Sequence, residues 1–229
     1  IIEYNGMWLV SNFEKMQLPT GWGVEQQITC VDGSTFQMYM ANMKSIFMDM
    51  IKNTDMVIFN RCKKEDPLPT YRRGIKVANQ RAEVIFEDEE GELGDIFQDE
   101  MPFDMNAPVI EILPEDYGIW FVDAMDHPEN YEGKTVKFKA RVMKPRGMGS
   151  KFFVPGRTAM TCCADDTTFL GYVCKSAYAP KLTPGEWVEV TAKVGIEKRN
   201  EYQGEEGIVL DAEHVEQCDP LEDEMVYFN

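Results

Sequence analysis

Apolar residues in the first 86 positions fall into short runs separated by helix-length stretches. The segments QQITCVDG (26–33) and TDMVIFN (54–60) have strand length, and between them Phe36, Met40, Met43, Phe47 and Met50 recur at three- to four-residue steps. That spacing puts one apolar stripe on a helix. YRRGIKVANQRAEVIF (71–86) adds a basic helix and another strand, and the opening IIEYNG reads as a strand ending in Glu3-x-x-Gly6. Strands alternating with helices predict crossover units around a mostly parallel sheet, an α/β arrangement. The methionines of the stripe are read as core packing rather than a soft-metal site.

Nine acidic residues and no Lys or Arg lie between Glu87 and Asp104, interrupted by Gly91, Gly94 and Pro102. Such a run reads as a solvated connector. APVIEIL then predicts a strand, and a helix begins near Pro114 with acids in its first turn. From Thr135 the period changes to two: TVKFKARV, KFFV, TAMTCCA, FLGYVCK, EWVEVTAKVGIEK and GIVLDAEHVEQC are β-type segments parted by Gly, Pro and Asp. Several strands in so short a span, preceded by one helix, predict a small closed barrel of oligonucleotide/oligosaccharide-binding (OB) topology. The chain is thus α/β plus all-β, divided into residues 1–105 and 106–229. Trp187 falls on the inward side of its alternation and is expected in the barrel core.

Charge narrows the partners. A net charge of −17 repels phosphate backbones, so nucleic acid is not expected, while cations remain open. No window approaches the roughly 18 consecutive apolar residues of a membrane span, so direct membrane insertion is not expected. Six cysteines, at 30, 62, 162, 163, 174 and 218, lack disulfide-scaffold spacing and suggest a reducing, cytoplasmic setting.

Glu3-x-x-Gly6, Val31-Asp32-Gly33 and Asn60 at the end of the third apolar run follow the order found in P-loop GTPases downstream of the phosphate loop. Over roughly residues 1–86 the chain resembles the CobW-type metallochaperone GTPases. The resemblance implies that Glu3 and Gly6 lie in a switch region near the γ-phosphate, that Asn60 contacts the base, and that the intact protein uses GTP and Mg²⁺. The Gly-x-x-x-x-Gly-Lys-Ser/Thr loop and the Cys-x-Cys-Cys metal motif of that family do not occur in the sequence. Ile1 is therefore expected to be an internal residue of a longer protein, and this 229-residue chain alone is expected to be catalytically silent. Where the family has Asn-Lys-x-Asp, residues 60–63 read Asn-Arg-Cys-Lys. Lys63 offers only donors to a base edge that needs acceptors. Specificity is altered, Asp66 substitutes, or the G domain is degenerate; Asn60 as a simple strand-end cap is an equal alternative.

The second half has its own resemblance. Tyr131, Gly133, Lys134, Arg157, Cys162, Cys163, Asp165, Gly185, Trp187 and Val188 fit a pattern similar to the C-terminal domain of a membrane-anchored protein that accompanies predicted two-component permeases. Arg157 is read as a surface residue, with a clamp on an anion or a nearby Asp as the alternative. Adjacent strand residues face opposite ways, so Cys162 and Cys163 hold one metal only across a bulge. With Cys174 and Asp165 they would form a mixed sulfur/oxygen site for zinc or another soft divalent metal; buried structural cysteines are the competing reading. Together these readings give a fragment of a cytoplasmic CobW-like GTPase acting in metal homeostasis with a membrane permease subunit. The alternative is a non-enzymatic scaffold or metal-sensing module with a degenerate G domain.

Overall fold

The computed structural model describes residues 1–94, 101–160 and 167–227. They divide into two compact units, one within residues 1–94 and one formed by residues 101–160 and 168–227.

In the first unit, β1 (Ile28–Asp32), β2 (Met56–Asn60) and β3 (Glu83–Phe86) form a parallel sheet in that order. Parallel neighbours require crossovers, and these are α2 (Phe36–Ile51) and α3 (Leu68–Ala78); a short α1 (Val10–Glu14) precedes β1. Val31, Val57, Phe59 and Phe86 pack one sheet face against Phe36, Phe47 and Ile51 of α2 and Leu68, Tyr71 and Ile75 of α3. The Phe36 ring is the hub, with centroids 4.9 Å from Phe59 and 4.6 Å from Tyr71. Helix α2 is kinked at Met43 (φ −134°, ψ 31°), so its inner side runs through Phe36, Tyr39 and Met40 and resumes at Phe47, Met48, Met50 and Ile51. The even stripe expected through Met43 is thereby corrected.

Residues 1–9 adopt neither helix nor strand, against the expected strand at IIEYNG. A local turn takes precedence: Asn5 Oδ1 accepts the Met7 N–H at 2.8 Å and Asn5 O accepts the Trp8 N–H at 3.0 Å.

The second unit opens with β4 (Ile110–Glu111), a 3₁₀ turn at Pro114–Asp116 and α4 (Tyr117–Asp126). Then come β5 (Thr135–Met143), β6 (Phe152–Met160), β7 (Thr167–Gly171), β8 (Val173–Lys175), β9 (Trp187–Lys198), β10 (Glu206–Gln217) and β11 (Met225–Val226). Strand β5 pairs antiparallel with both β6 and β9, β9 pairs antiparallel with β10, β10 runs parallel to β8, and β8 returns to β6. The ring β5-β6-β8-β10-β9 closes a five-stranded OB-like barrel. Along β5, Val136, Phe138, Ala140 and Val142 point inward and Lys137, Lys139 and Arg141 outward. Helix α4 closes one end with Trp120 against Phe138 at 4.8 Å and Phe121 stacked on Tyr172 at 4.8 Å. Trp187 is buried, as its alternation requires.

Strand β6 departs from the expected pattern by running straight through Pro155-Gly156. Counting on from Phe153 opposite Cys174 sets Pro155 opposite Tyr172, the residue at which β7 and β8 part, so the missing proline N–H falls at a gap in the ladder. The segment TAMTCCA was expected to be a separate strand; its first three residues belong to β6, and residues 161–166 lie outside the described residues.

Candidate functional site

Ligands of open α/β sheets gather at the carboxyl ends of the parallel strands. There Asp32 of β1 lies in register with Asn60 of β2, and the Gly33 N–H extends the pairing by donating to Asn60 O at 2.8 Å. A Cβ on Gly33 would meet Cys62 Sγ at 2.7 Å and Asn60 O at 3.1 Å, so this turn requires glycine for space. Arg61 adopts the left-handed region (φ 55°), and beyond it the Cys62 N–H donates to Glu87 O at 2.9 Å. The turned Arg61 reaches back to Asp32, Nη1 to Oδ2 2.7 Å. The Ser34 hydroxyl donates to Asp32 Oδ1 at 2.6 Å, and that bond, with Arg61 beside it, holds the Asp32 carboxyl below the usual range. Cys62 is buried, which pushes its thiol up to about 11.

Asn60 Oδ1 is buried with no hydrogen-bond partner among the described residues. A lone acceptor of this kind at a strand end can take a donor from a ligand or a backbone N–H. Asp66 Oδ2 accepts the Lys63 N–H at 2.8 Å, so one of its oxygens closes its own loop. Lys63 and Lys64 are exposed beside it. Gly6 O accepts the Tyr39 hydroxyl at 3.1 Å, tying Gly6 to the start of α2, and Glu3 is exposed outside any strand. Asp32 and Asn60 are therefore brought together, while Glu3 and Gly6 belong to the irregular leading segment. The Asp32–Arg61 pair escaped the sequence reading because it depends on the left-handed turn at Arg61.

Cys162, Cys163 and Asp165 lie outside the described residues. Cys174 is fully buried on β8, in register with Phe153 and Leu210, and burial pushes its thiol far above the usual range. Among the described residues no three His, Cys, Asp or Glu side chains converge to hold a metal. Replacing Cys174 by serine is expected to leave the zinc content of the purified chain unchanged and to cost about 1–3 kcal/mol in denaturant unfolding, since a hydroxyl would enter an apolar core. Zinc lost with this variant would overturn that placement.

Arg157 overturns its reading as a surface residue. It is 2 % exposed, and its guanidinium donates to Pro114 O and, at 3.1 Å each, to Asp223 O and Met225 O. It also lies 5.6 Å from the centre of the Tyr117 ring. Three backbone carbonyls thus receive the charge, and β11 is fixed along β6 with Met225 opposite Thr158.

No helix among the described residues is long and apolar enough to cross a membrane. No curated protein matches the chain. Among solved structures, the mitochondrial single-stranded DNA binding protein Rim1 of S. cerevisiae is similar at 10% identity, covering 38% of this chain and 97% of that chain with a TM-score of 0.24. The aspartyl tRNA synthetase from Entamoeba histolytica is 15% identical, covers 52% of this chain and 27% of its own, and has a TM-score of 0.27. Neither likeness bears on what this chain binds. Residues 92–228 match the model of the DUF1980 C-terminal domain, and because that span exceeds half of the sequence, the chain belongs to the DUF1980 C-terminal domain family.

Proposed function

We propose that the protein serves metal homeostasis as a nucleotide-linked component acting with a membrane permease subunit. In this reading the α/β unit supplies the base-side part of a CobW-like site, and the barrel is the docking module. The observation that carries it is the pairing of Asp32 with Asn60 at the carboxyl ends of β1 and β2, where Asn60 Oδ1 is buried and unbonded. An acceptor in that position fits a ligand donor; Lys63 does not fit the guanine edge, which needs acceptors. GTP with Mg²⁺ is the nucleotide that the order of motifs suggests, and a soft cation such as zinc is the cargo, with Cys162, Cys163 and Asp165 its proposed ligands.

A second reading, a non-enzymatic scaffold with a degenerate G domain, is favoured by the Arg61–Asp32 ion pair at the same edge and by Lys63 itself. Titration of fluorescent GTP and ATP into the full-length gene product separates the two. Saturable binding that weakens about tenfold with Asn60→Ala is expected, equivalent to one lost hydrogen bond to the ligand. Absence of nucleotide binding would leave the scaffold.

A further inference from the structure

Helices α2 and α3 pack on the same face of the parallel sheet, and the opposite face can be mapped from the strand register. One row across it holds Ile28, Met56 and Glu83, the next Cys30, Ile58 and Ile85, and the third Asp32 and Asn60. Glu87 continues the third row, its N–H donating to Phe59 O at 2.7 Å. Ile28 is 47% exposed, Cys30 is exposed, and Met56, Ile58 and Ile85 are half-buried. The middle of this face is thus apolar, Glu83 and Glu87 stand along its β3 edge, and Asp32 at the opposite corner is already paired with Arg61.

Parallel sheets are ordinarily covered by helices on both faces. Strands spaced about 4.8 Å apart give a three-strand face the width of one helix, about 10 Å. The acidic β3 edge, Glu83 and Glu87, favours a cationic partner over a second copy of a chain that carries −17 charges. We propose that this face docks a cationic amphipathic helix of a partner polypeptide. The helix lays an apolar stripe over Cys30, Ile58 and Ile85 and turns Lys or Arg towards Glu83 and Glu87. The helix rests on the row of Cys30, Ile58 and Ile85, one row from Asn60, so this surface and the nucleotide reading are tested by separate substitutions.

The test uses the whole chain and a fluorescent synthetic Leu/Lys amphipathic helix of about five turns. Saturable anisotropy binding is expected, with alkylation of Cys30, followed peptide by peptide in a mass spectrometer, slowed at least about tenfold in the complex. Glu83→Lys, an exposed substitution, is expected to weaken binding about tenfold, and Cys30→Asp to do the same with an unchanged far-ultraviolet spectrum. Equal binding of a scrambled peptide of the same composition, an unprotected Cys30, or unchanged affinity in Glu83→Lys would each overturn the proposal. So would light scattering that shows a dimer with Cys30 protected before any peptide is added, which would assign the face to a second copy. Peptide binding and Asn60-dependent nucleotide binding are separate readouts, so failure of one leaves the other standing.

Discussion

Replacing Arg157 by methionine is expected to destabilise the barrel unit by about 3–5 kcal/mol. Methionine keeps much of the volume but removes the donors that serve the carbonyls of Pro114, Asp223 and Met225. Each hydrogen bond from the charged guanidinium to a carbonyl contributes about 1.5–3 kcal/mol, offset in part because the exposed ends of Pro114 and Asp223 regain water and a buried cation no longer has to be desolvated. The loss should be regional as well as global. The residues held by the guanidinium, Met225 and Val226 with the turn before α4, should lose hydrogen-exchange protection before β9 and β10 do. Denaturant unfolding that moves by less than about 1 kcal/mol would show that the carbonyls find other donors, and the clamp would not be what holds β11.

Gly156→Ala is expected to be comparably damaging for a steric reason. A Cβ there would lie 2.3 Å from Leu170 O and 2.4 Å from the Phe169 ring, and a Cβ on Gly171 would meet Pro155 O at 2.6 Å. Strands β6 and β7 therefore approach more closely than any side chain permits at either position. Backbone atoms on the far side cannot yield as a flexible side chain would, so a cost of about 3 kcal/mol or more follows, or a barrel that fails to close. Gly149→Ala supplies the control: its nearest neighbour is the Phe152 ring at 3.4 Å, and its effect should stay within about 0.5 kcal/mol. If both variants unfold alike, the close approach of β6 and β7 is not a constraint.

The elements that could be read from the sequence were those with one dry and one wet side. β5 and β9 alternate because each has a wet outer row, and the barrel was legible from them. β6 was not, because Phe153 through Arg157 are buried on both sides and no alternation survives; Pro155-Gly156 then looks like a turn. Arg157 was misread for a related reason: arginine is a surface residue by type, and only the fold supplies three carbonyls to receive it. Of the Asp32–Asn60 edge, Asn60 at a strand end was visible in the run MVIFN. Its neighbour Arg61 adopts a backbone conformation that a non-glycine residue seldom takes, and the ion pair to Asp32 follows from it. IIEYNG has the composition of a strand, yet Asn5 and Gly6 form a turn that composition alone does not announce.

Closure of the barrel has a kinetic consequence. β5 finds its partner β9 roughly fifty residues later in the chain, and β8 cannot be fixed beside β10 until still more has been made. Loops of that length must close before their ladders stabilise anything, which places folding of such a unit in the millisecond-to-second range. On a ribosome adding about 5–20 residues per second, β5 emerges several seconds before β10. Over that interval Val136, Phe138, Ala140 and Val142 form an apolar row with no sheet to close on. That row is therefore left open to solvent over this interval, whereas the sheet of the first unit, built from crossovers between sequence neighbours, needs no residue beyond Phe86.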